Sequence, residues 1–189
     1  MRSATGSVVR SRLSIVLVTS ALVVWTTGVS PATVTVSCTA DSLSVTFSTA
    51  RGDYRIYGEK QVDELIQELR RADLVVGFNN LRFDYEVLHG YTTLDLRQIP
   101  TLDMLVDLQK TLQHRLSLDA IAAATLGVEK TSEGMQAIRW FKEGKLLEIA
   151  EYCCYDVKIT RLVHEYGAAH RRLFYKNRFG NKLSVPVSW

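Results

Sequence analysis

The sequence predicts a single α/β or α+β domain, and two observations carry this prediction. Short apolar or alternating segments come first, as in β-strands, and from Glu59 onward apolar residues recur at helical spacing. The chain has 189 residues, 47% of them apolar and 23% charged, which is typical of one folded domain. This composition excludes collagen-like, coiled-coil and disordered proteins.

Four segments are rich in Val, Thr or aromatic residues, which favour the pleated surface of a sheet. The predicted strands are Val34–Val36, Leu43–Phe47, Tyr54–Tyr57 and Leu74–Phe78. Thr39–Ser42 is predicted to form the turn between the first two strands. The run from Leu74 is short and apolar and closes on two asparagines, which indicates a buried strand that ends in a loop.

Amphipathic spacing and end signals predict the helices. They are Glu59–Arg71, Leu81–His89 before Gly90, a helix capped by Ser117 that runs through Leu126 to Gly127, a short stretch at Gly134–Lys142, and the longest helix, from Lys145 to about Ala169. Thr101–Val106 is compatible with either a strand or a helix. The tail, Arg172–Trp189, predicts a terminal hairpin.

Residues 1–50 differ from residues 51–189 in their content of charged and apolar residues, so the chain has two parts of different composition. The first part contains three arginines and one acid, Asp41, and its apolar run Leu13–Trp25 follows those arginines. Three interpretations remain open: buried β-strands, an export signal over residues 1–32, or a segment from a wrong start or a shifted reading frame. The run is shorter than the roughly 20 residues of a membrane span, so no membrane partner is expected.

The cysteines indicate a reducing compartment. Cys38, Cys153 and Cys154 are too few and too poorly spaced for a disulfide framework or a four-ligand zinc site. We therefore expect a cytoplasmic protein, with export as the minor alternative. A formal charge of +3 does not by itself indicate a nucleic-acid binder, because phosphate binding needs clustered cations.

The segment VVGFNNLRFDYEVL, at residues 75–88, places polar residues at the end of a predicted strand. Ligands of open α/β sheets gather at such strand ends, so Gly77, Asn79, Asn80 and Asp84 are candidate site residues. The alternative is purely structural, with the asparagines in a turn and Asp84 placed favourably in the first turn of a helix.

The segment EYCCYDVKIT, at residues 151–160, places Tyr152 and Asp156 one helical turn apart on the same face. A carboxylate there could bind a hard divalent cation while the phenol positions a water or a phosphate oxygen. A packed Tyr beside a solvated Asp is the alternative.

Together, GFNNLRFDYEVL and YCCYD resemble the second and third motifs of the DEDDy 3′-to-5′ exonucleases of the ribonuclease-H-like superfamily. Residues 51–189 are similar to small prokaryotic domains of this kind. The resemblance implies a ribonuclease-H-like α/β fold, with a central mixed sheet, helices on both faces and the strand from Leu74 in a central position. It implies hydrolysis of nucleic-acid phosphodiesters, with single-stranded 3′ ends as the expected partner.

The resemblance also implies roles for individual residues. Asp84 would support a metal site, Asp156 would bind a metal directly, and Tyr152 would orient the attacking water. A pair of Mg²⁺ or Mn²⁺ ions is the implied cofactor, since two ions can activate a water and stabilise the leaving oxygen. Substrate contacts are expected from Asn79, Asn80, Arg82 and Phe83.

The chain departs from the family in one respect. The family's first motif, an Asp-x-Glu on the first strand, does not occur before Arg51, because Asp41 is followed by Ser42 and Leu43. Activity is therefore expected to be impaired, and a catalytically inactive nucleic-acid-binding module is the alternative. Residues 1–50 have an unusual composition and also lack the Asp-x-Glu motif. The hypothesis that they are a replaced or misread N-terminus explains both observations.

Asp103 and the C-terminal tail each have two possible interpretations. Asp103 could be another acid near the site, but a structural role in closing a strand or capping a turn is favoured. Cations and aromatic residues alternate in the tail, which suits nucleic-acid binding, although the aromatic side chains could instead fold inward.

Overall fold

A computed structural model describes residues 14–18, 43–128, 139–140 and 143–189, with only the backbone described for 14–18. Five strands form one sheet in the order β3-β2-β1-β4-β5, and β6 and β7 form a separate hairpin. The strands are β1 (Ser14–Val18), β2 (Ser44–Ser48), β3 (Asp53–Tyr57), β4 (Leu74–Gly77), β5 (Thr101–Asp103), β6 (Arg172–Lys176) and β7 (Lys182–Pro186).

The sheet is mixed, and β1 lies at its centre. It pairs antiparallel with β2 and parallel with β4, so that Val16 has Phe47 and Val76 as its two partners. Strand β3 extends the antiparallel side, and β5 extends the parallel side, with Gly77 paired to Asp103. The carboxyl ends of β1, β4 and β5 therefore meet at one edge of the sheet. The predicted mixed sheet is confirmed, and β4 is an internal strand.

The N-terminal apolar run contributes a strand to this sheet. Ser14–Val18, within the run Leu13–Trp25, forms β1, and the sheet includes strands from both sides of residue 50. The predicted strand Val34–Val36 and the turn Thr39–Ser42 lie outside the described residues, as does most of Gly134–Lys142.

Five helices are described: α1 (Val62–Arg71), α2 (Asp84–Leu88), α3 (Met104–Leu112), α4 (Leu118–Leu126) and α5 (Leu146–His170). Short 3-10 turns occur at Glu59–Gln61 and Leu96–Gln98. The apolar stripe of α1 is buried, and it consists of Val62, Leu65, Ile66 and Leu69. In α4 the Ser117 hydroxyl accepts a hydrogen bond from the Ala120 N–H, and Gly127 ends the helix at a φ of 71°. No helix within these described ranges is both long enough and apolar enough to cross a membrane.

Two predicted elements differ from the structure. Helix α2 begins at Asp84 rather than Leu81, because the preceding residues form turns. The ambiguous stretch Thr101–Val106 divides into β5 and the start of α3. Asp103 causes this change of structure, since its carboxylate accepts hydrogen bonds from the backbone N–H groups of Leu105 and Val106 and so caps α3.

Hydrophobic clusters lie on both faces of the sheet. Adjacent residues of β4 serve different clusters: Val75 packs with Leu65 of α1 and Tyr85 of α2, whereas Val76 packs with residues of α3, α4 and α5. This is the alternation expected along a strand that is buried on both sides. The prediction of helices on both faces is confirmed.

Helix α5 and the C-terminal hairpin share the second cluster. Val157 and Val163 of α5 are fully buried there, together with Leu173 of β6 and Val185 of β7. The hairpin is therefore packed against the domain, and the predicted terminal hairpin is confirmed.

Candidate functional site

The carboxyl end of β4 leads into a tightly packed loop. Gly77 ends the strand, Asn79 adopts a left-handed φ of 71°, and the Asn80 side chain is fully buried against Gly77. A Cβ atom at Gly77 would lie 2.6 Å from Cγ of Asn80. Neither polar atom of the Asn80 amide has a hydrogen-bond partner among the described residues. Position 77 therefore needs glycine, and the Asn80 side chain packs beneath the loop as a structural support.

Asp103 holds this loop from the neighbouring strand. Its carboxylate accepts hydrogen bonds from the N–H groups of Asn79 (2.8 Å) and Leu81 (3.1 Å), in addition to those of Leu105 (3.0 Å) and Val106 (3.3 Å). The Asp103 side chain is only 4% exposed, and its carboxylate is satisfied by these four backbone N–H donors. The structural interpretation of Asp103 is therefore confirmed.

Asp84 is the first residue of α2, and its side chain is only 3% exposed. Burial raises the pKa of its neighbour Tyr85 to about 12, and the negative charges of Asp84 and Asp103 act in the same direction. The Tyr85 hydroxyl forms a hydrogen bond of 2.6 Å with the Thr101 hydroxyl. Arg82 and Phe83, just before the helix, are exposed. The loop thus buries one candidate acid and presents a cation and an aromatic ring to solvent.

Tyr152 and Asp156 form the second part of the site, on α5. The Tyr152 hydroxyl donates a hydrogen bond to the Asp156 carboxylate. Burial is the main cause of a raised Tyr152 pKa, and the charges of Asp156 and Asp119 raise it further. The phenol therefore stays protonated at neutral pH, which suits a hydrogen-bond donor and not a base.

Two neighbours of Tyr152 come from distant parts of the sequence. Trp140 packs edge-on to its ring, with 6.4 Å between the centroids. Asp119, in the first turn of α4, is exposed but close enough for its charge to influence the phenol. No local spacing in the sequence connects Asp119 with Tyr152, so only the tertiary structure shows that they are neighbours.

The two parts of the site are linked through β4, which precedes the Asp84 loop and contacts α5, while α2 and α5 themselves pack on opposite faces of the sheet. Helix α5 covers β1, β2 and β4, and Asp84 lies seven residues after the end of β4. The guanidinium of Arg161 lies 4.2 Å from the ring centroid of Phe47, whose strand partner is Val16. Asp156 is five residues earlier, or about 7.5 Å along the helix axis.

The described residues do not fit the two-ion site that the resemblance implies. Among them, no group of three or more His, Cys, Asp and Glu side chains is arranged to hold a metal ion. The central strand β1 has the sequence SIVLV and so brings no carboxylate to the sheet. Hard divalent cations require clustered oxygen ligands, and Asp84 and Asp156 supply only part of such a set.

Comparison with known proteins identifies the family. No curated protein matches the chain. A family model of the RNase H superfamily matches residues 26–166, which is most of the chain. Members of this superfamily are nuclease-like proteins that act on nucleic acid, and such nucleases generally use divalent metal ions. From the match and from the mixed sheet with helices on both faces, we conclude that this chain belongs to the RNase H superfamily.

Proposed function

We propose that the chain is a DEDDy-type 3′-to-5′ exonuclease-like protein whose hydrolysis of nucleic-acid phosphodiesters is impaired. The retained site residues are Asp84, Tyr152 and Asp156. The hydrogen-bonded pair of Tyr152 and Asp156 is the observation that carries the proposal, because it joins a protonated phenol to a carboxylate on the helix that covers the central strands.

In this proposal Asp84 and Asp156 approach each other at the carboxyl edge of the sheet. Asp84 belongs to that edge through β4. Asp156 reaches it if α5 runs from the carboxyl edge towards Arg161 and Phe47. Ligands of open α/β sheets gather at such an edge.

Each retained residue has a distinct part in the proposed chemistry. Tyr152 orients the attacking water, since its proton is donated to Asp156 and its phenol oxygen accepts a hydrogen bond from that water. Arg82 is exposed near Asp84 and neutralises a substrate phosphate, while Asn79 and Phe83 line the same loop. Asn80 supports them from beneath.

The missing first motif explains why activity should be low. The RNase H superfamily generally uses divalent ions, and Mg²⁺ gives up its bound waters reluctantly. With no acid on β1, we expect weak use of Mg²⁺ or Mn²⁺. We also propose a cytoplasmic location, supported by Cys38, Cys153 and Cys154, which are too few and too poorly spaced for a disulfide framework.

A second candidate function is binding of nucleic acid without hydrolysis. The sequence of β1 favours it, because the strand at the centre of the sheet has no carboxylate. Both candidates share the nucleic-acid partner and differ only in whether phosphodiester bonds are cleaved.

Nucleotide release from the 3′ end separates the two candidates. The full chain is incubated with 5′-labelled single-stranded DNA or RNA and with Mg²⁺ or Mn²⁺, and the products are resolved on a gel. We expect a slow ladder of products shortened from the 3′ end, at least tenfold slower in Asp156→Asn and Tyr152→Phe. Asp63→Asn, an exposed acid on α1, is the matched control and should leave the rate unchanged.

An equal rate in Asp156→Asn and the wild type would exclude this site as the source of cleavage. Binding without any shortened product, at every metal concentration, would establish the second candidate instead.

A further inference from the structure

The last 19 residues carry a concentrated positive charge. Residues 171–189 contain five Lys or Arg side chains and no Asp or Glu. The cations are Arg171, Arg172, Lys176, Arg178 and Lys182. All five are exposed, so the C-terminal hairpin is a basic surface and not a mixed-charge one. Clustered cations of this kind neutralise phosphates.

The two faces of the hairpin differ in character. Leu173, Tyr175 and Val185 point into the core. The outward face bears Phe174 and the directly paired lysines Lys176 and Lys182. Like charges directly opposite each other on neighbouring strands are destabilising, and a bound anion relieves this repulsion. The hairpin therefore gains stability from an anionic partner.

An aromatic side chain stands at the tip of the hairpin. Phe179 is 72% exposed, and the Arg178 guanidinium lies 4.8 Å from its ring centroid. On the outward face, the Lys182 ammonium lies 4.5 Å from the ring centroid of the half-buried Phe174. Single-stranded nucleic acids bind where bases stack on aromatic rings beside cations that neutralise the backbone. Of the tail's aromatic residues, Tyr175 folds inward and Phe179 does not.

Hydrogen bonds fix the hairpin and its tip. The Thr125 hydroxyl of α4 donates to the Phe174 carbonyl (3.0 Å) and accepts from the Phe174 N–H (2.9 Å). In the loop, the Asn177 side-chain oxygen accepts from the N–H groups of Phe179 (2.9 Å) and Asn181 (3.0 Å). A surface held in this way loses little conformational freedom on binding.

Helix α4 connects this surface with the candidate active site. Asp119 in its first turn acts on Tyr152, and Thr125, six residues later, bonds to the hairpin. The two positions are about 9 Å apart along the helix axis. A bound strand that crosses this distance contacts both regions.

From these observations we propose that the outward face and tip of the C-terminal hairpin bind single-stranded nucleic acid. In this arrangement Phe179 stacks on an unpaired base, and Lys176 and Lys182 contact backbone phosphates. The proposal rests on the proposed function only in taking nucleic acid as the ligand, because binding and hydrolysis are measured separately.

The test is fluorescence anisotropy of a labelled single-stranded oligonucleotide titrated with the full chain in EDTA, at several salt concentrations. Phe179→Ala should weaken binding about tenfold, and Phe179→Trp should retain it, since a larger ring still stacks. The double variant Lys176→Ala/Lys182→Ala should lower the slope of log affinity against log salt by about 1.4, at roughly 0.7 for each lost phosphate contact. Lys60→Ala/Arg70→Ala removes two exposed charges near and on α1 and is the matched control.

Each outcome decides the proposal. Loss of affinity in the hairpin variants but not in the control supports it, and this holds even if the wild-type chain releases no nucleotide, a result that would remove only the exonuclease proposal. Equal affinity in the wild type, Phe179→Ala and the lysine variant overturns it. Failure of the wild type to bind, or a preference for duplex over single strands that Phe179→Ala does not alter, overturns it as well.

Discussion

At the scale of single residues, the carboxylates of Asp103 and Asp156 have different surroundings. Asp103 accepts hydrogen bonds from four backbone N–H groups, and its negative charge is committed to the fold. Asp156 is half-buried on α5, and its carboxylate accepts a hydrogen bond from the Tyr152 hydroxyl. With four backbone donors to satisfy, the Asp103 carboxylate has little capacity left for a substrate or an ion.

Replacing Asp103 should therefore destabilise the protein. Asp103→Ala removes the cap of α3 and the two bonds to the loop after β4, and we expect a loss of about 2 kcal/mol or more in the free energy of unfolding. Urea unfolding followed by circular dichroism measures this loss. Asp107→Ala, in the first turn of the same helix, is the control and should cost only a few tenths of a kcal/mol. Equal effects of the two variants would contradict the capping role.

Tyr85 makes the stability depend on alkaline pH. Its pKa in the folded protein is raised to about 12 from an ordinary value near 10, chiefly by burial. Between these values the unfolded chain loses the proton while the folded chain keeps it, so stability falls as the pH rises through this window. Across the whole window the loss should approach roughly 3 kcal/mol, at about 1.4 kcal/mol for each of the two pKa units.

Urea unfolding of the wild type and of Tyr85→Phe at pH 8, 10 and 11.5 checks this dependence. Tyr85→Phe should have a flatter profile above pH 10, because phenylalanine has no proton to lose. Thr101, the partner of the Tyr85 hydroxyl, still donates to the Ile99 carbonyl in that variant. Parallel profiles for the two proteins would show that Tyr85 does not titrate in this window.

At the scale of elements, the end of β4 determines how the loop is placed. Gly77→Ala would bring a methyl group within 2.6 Å of the fully buried Asn80 side chain, whose own Cβ is only 2.9 Å away. We expect a loss of about 1–3 kcal/mol in the free energy of unfolding, as for other overpacked sites. Thermal or urea unfolding measures it.

Gly58→Ala is the matched control for this substitution, since the nearest atom to its added methyl group is 4.0 Å away and its φ is −81°. Its stability should stay close to that of the wild type. A Gly77→Ala variant as stable as Gly58→Ala would mean that the loop can move without cost.

At the scale of the whole molecule, the N-terminal part supplies the central strand of the sheet. Because β1 pairs with both β2 and β4, its loss divides the five-stranded sheet into two pieces. Cleavage of an export signal after residue 32 would remove this strand. The strand pairing therefore argues against a cleaved signal at that point.

Two truncations test the role of β1. A chain that begins at residue 33 should lose cooperative thermal unfolding, since β2 and β4 lose their common partner. A chain that begins at residue 13 retains all the described strands and should unfold cooperatively, close to the full chain. Cooperative unfolding of the shorter chain would show that the domain folds without β1.

Local sequence signals determined a large part of this architecture. The apolar stripe of α1, the Ser117 and Gly127 ends of α4 and the four-residue spacing of Tyr152 and Asp156 all depend on residues within a turn or two of each other. Interactions over such short distances follow from helical periodicity, so the sequence alone predicts them.

Only the tertiary structure decided the rest. It placed Ser14–Val18 between β2 and β4, made Asp103 the support of a neighbouring loop, and brought Asp119 close to Tyr152. Each of these relations joins residues far apart in the chain. They depend on strand pairing and on the packing of helices across the sheet, which no local pattern of residues specifies.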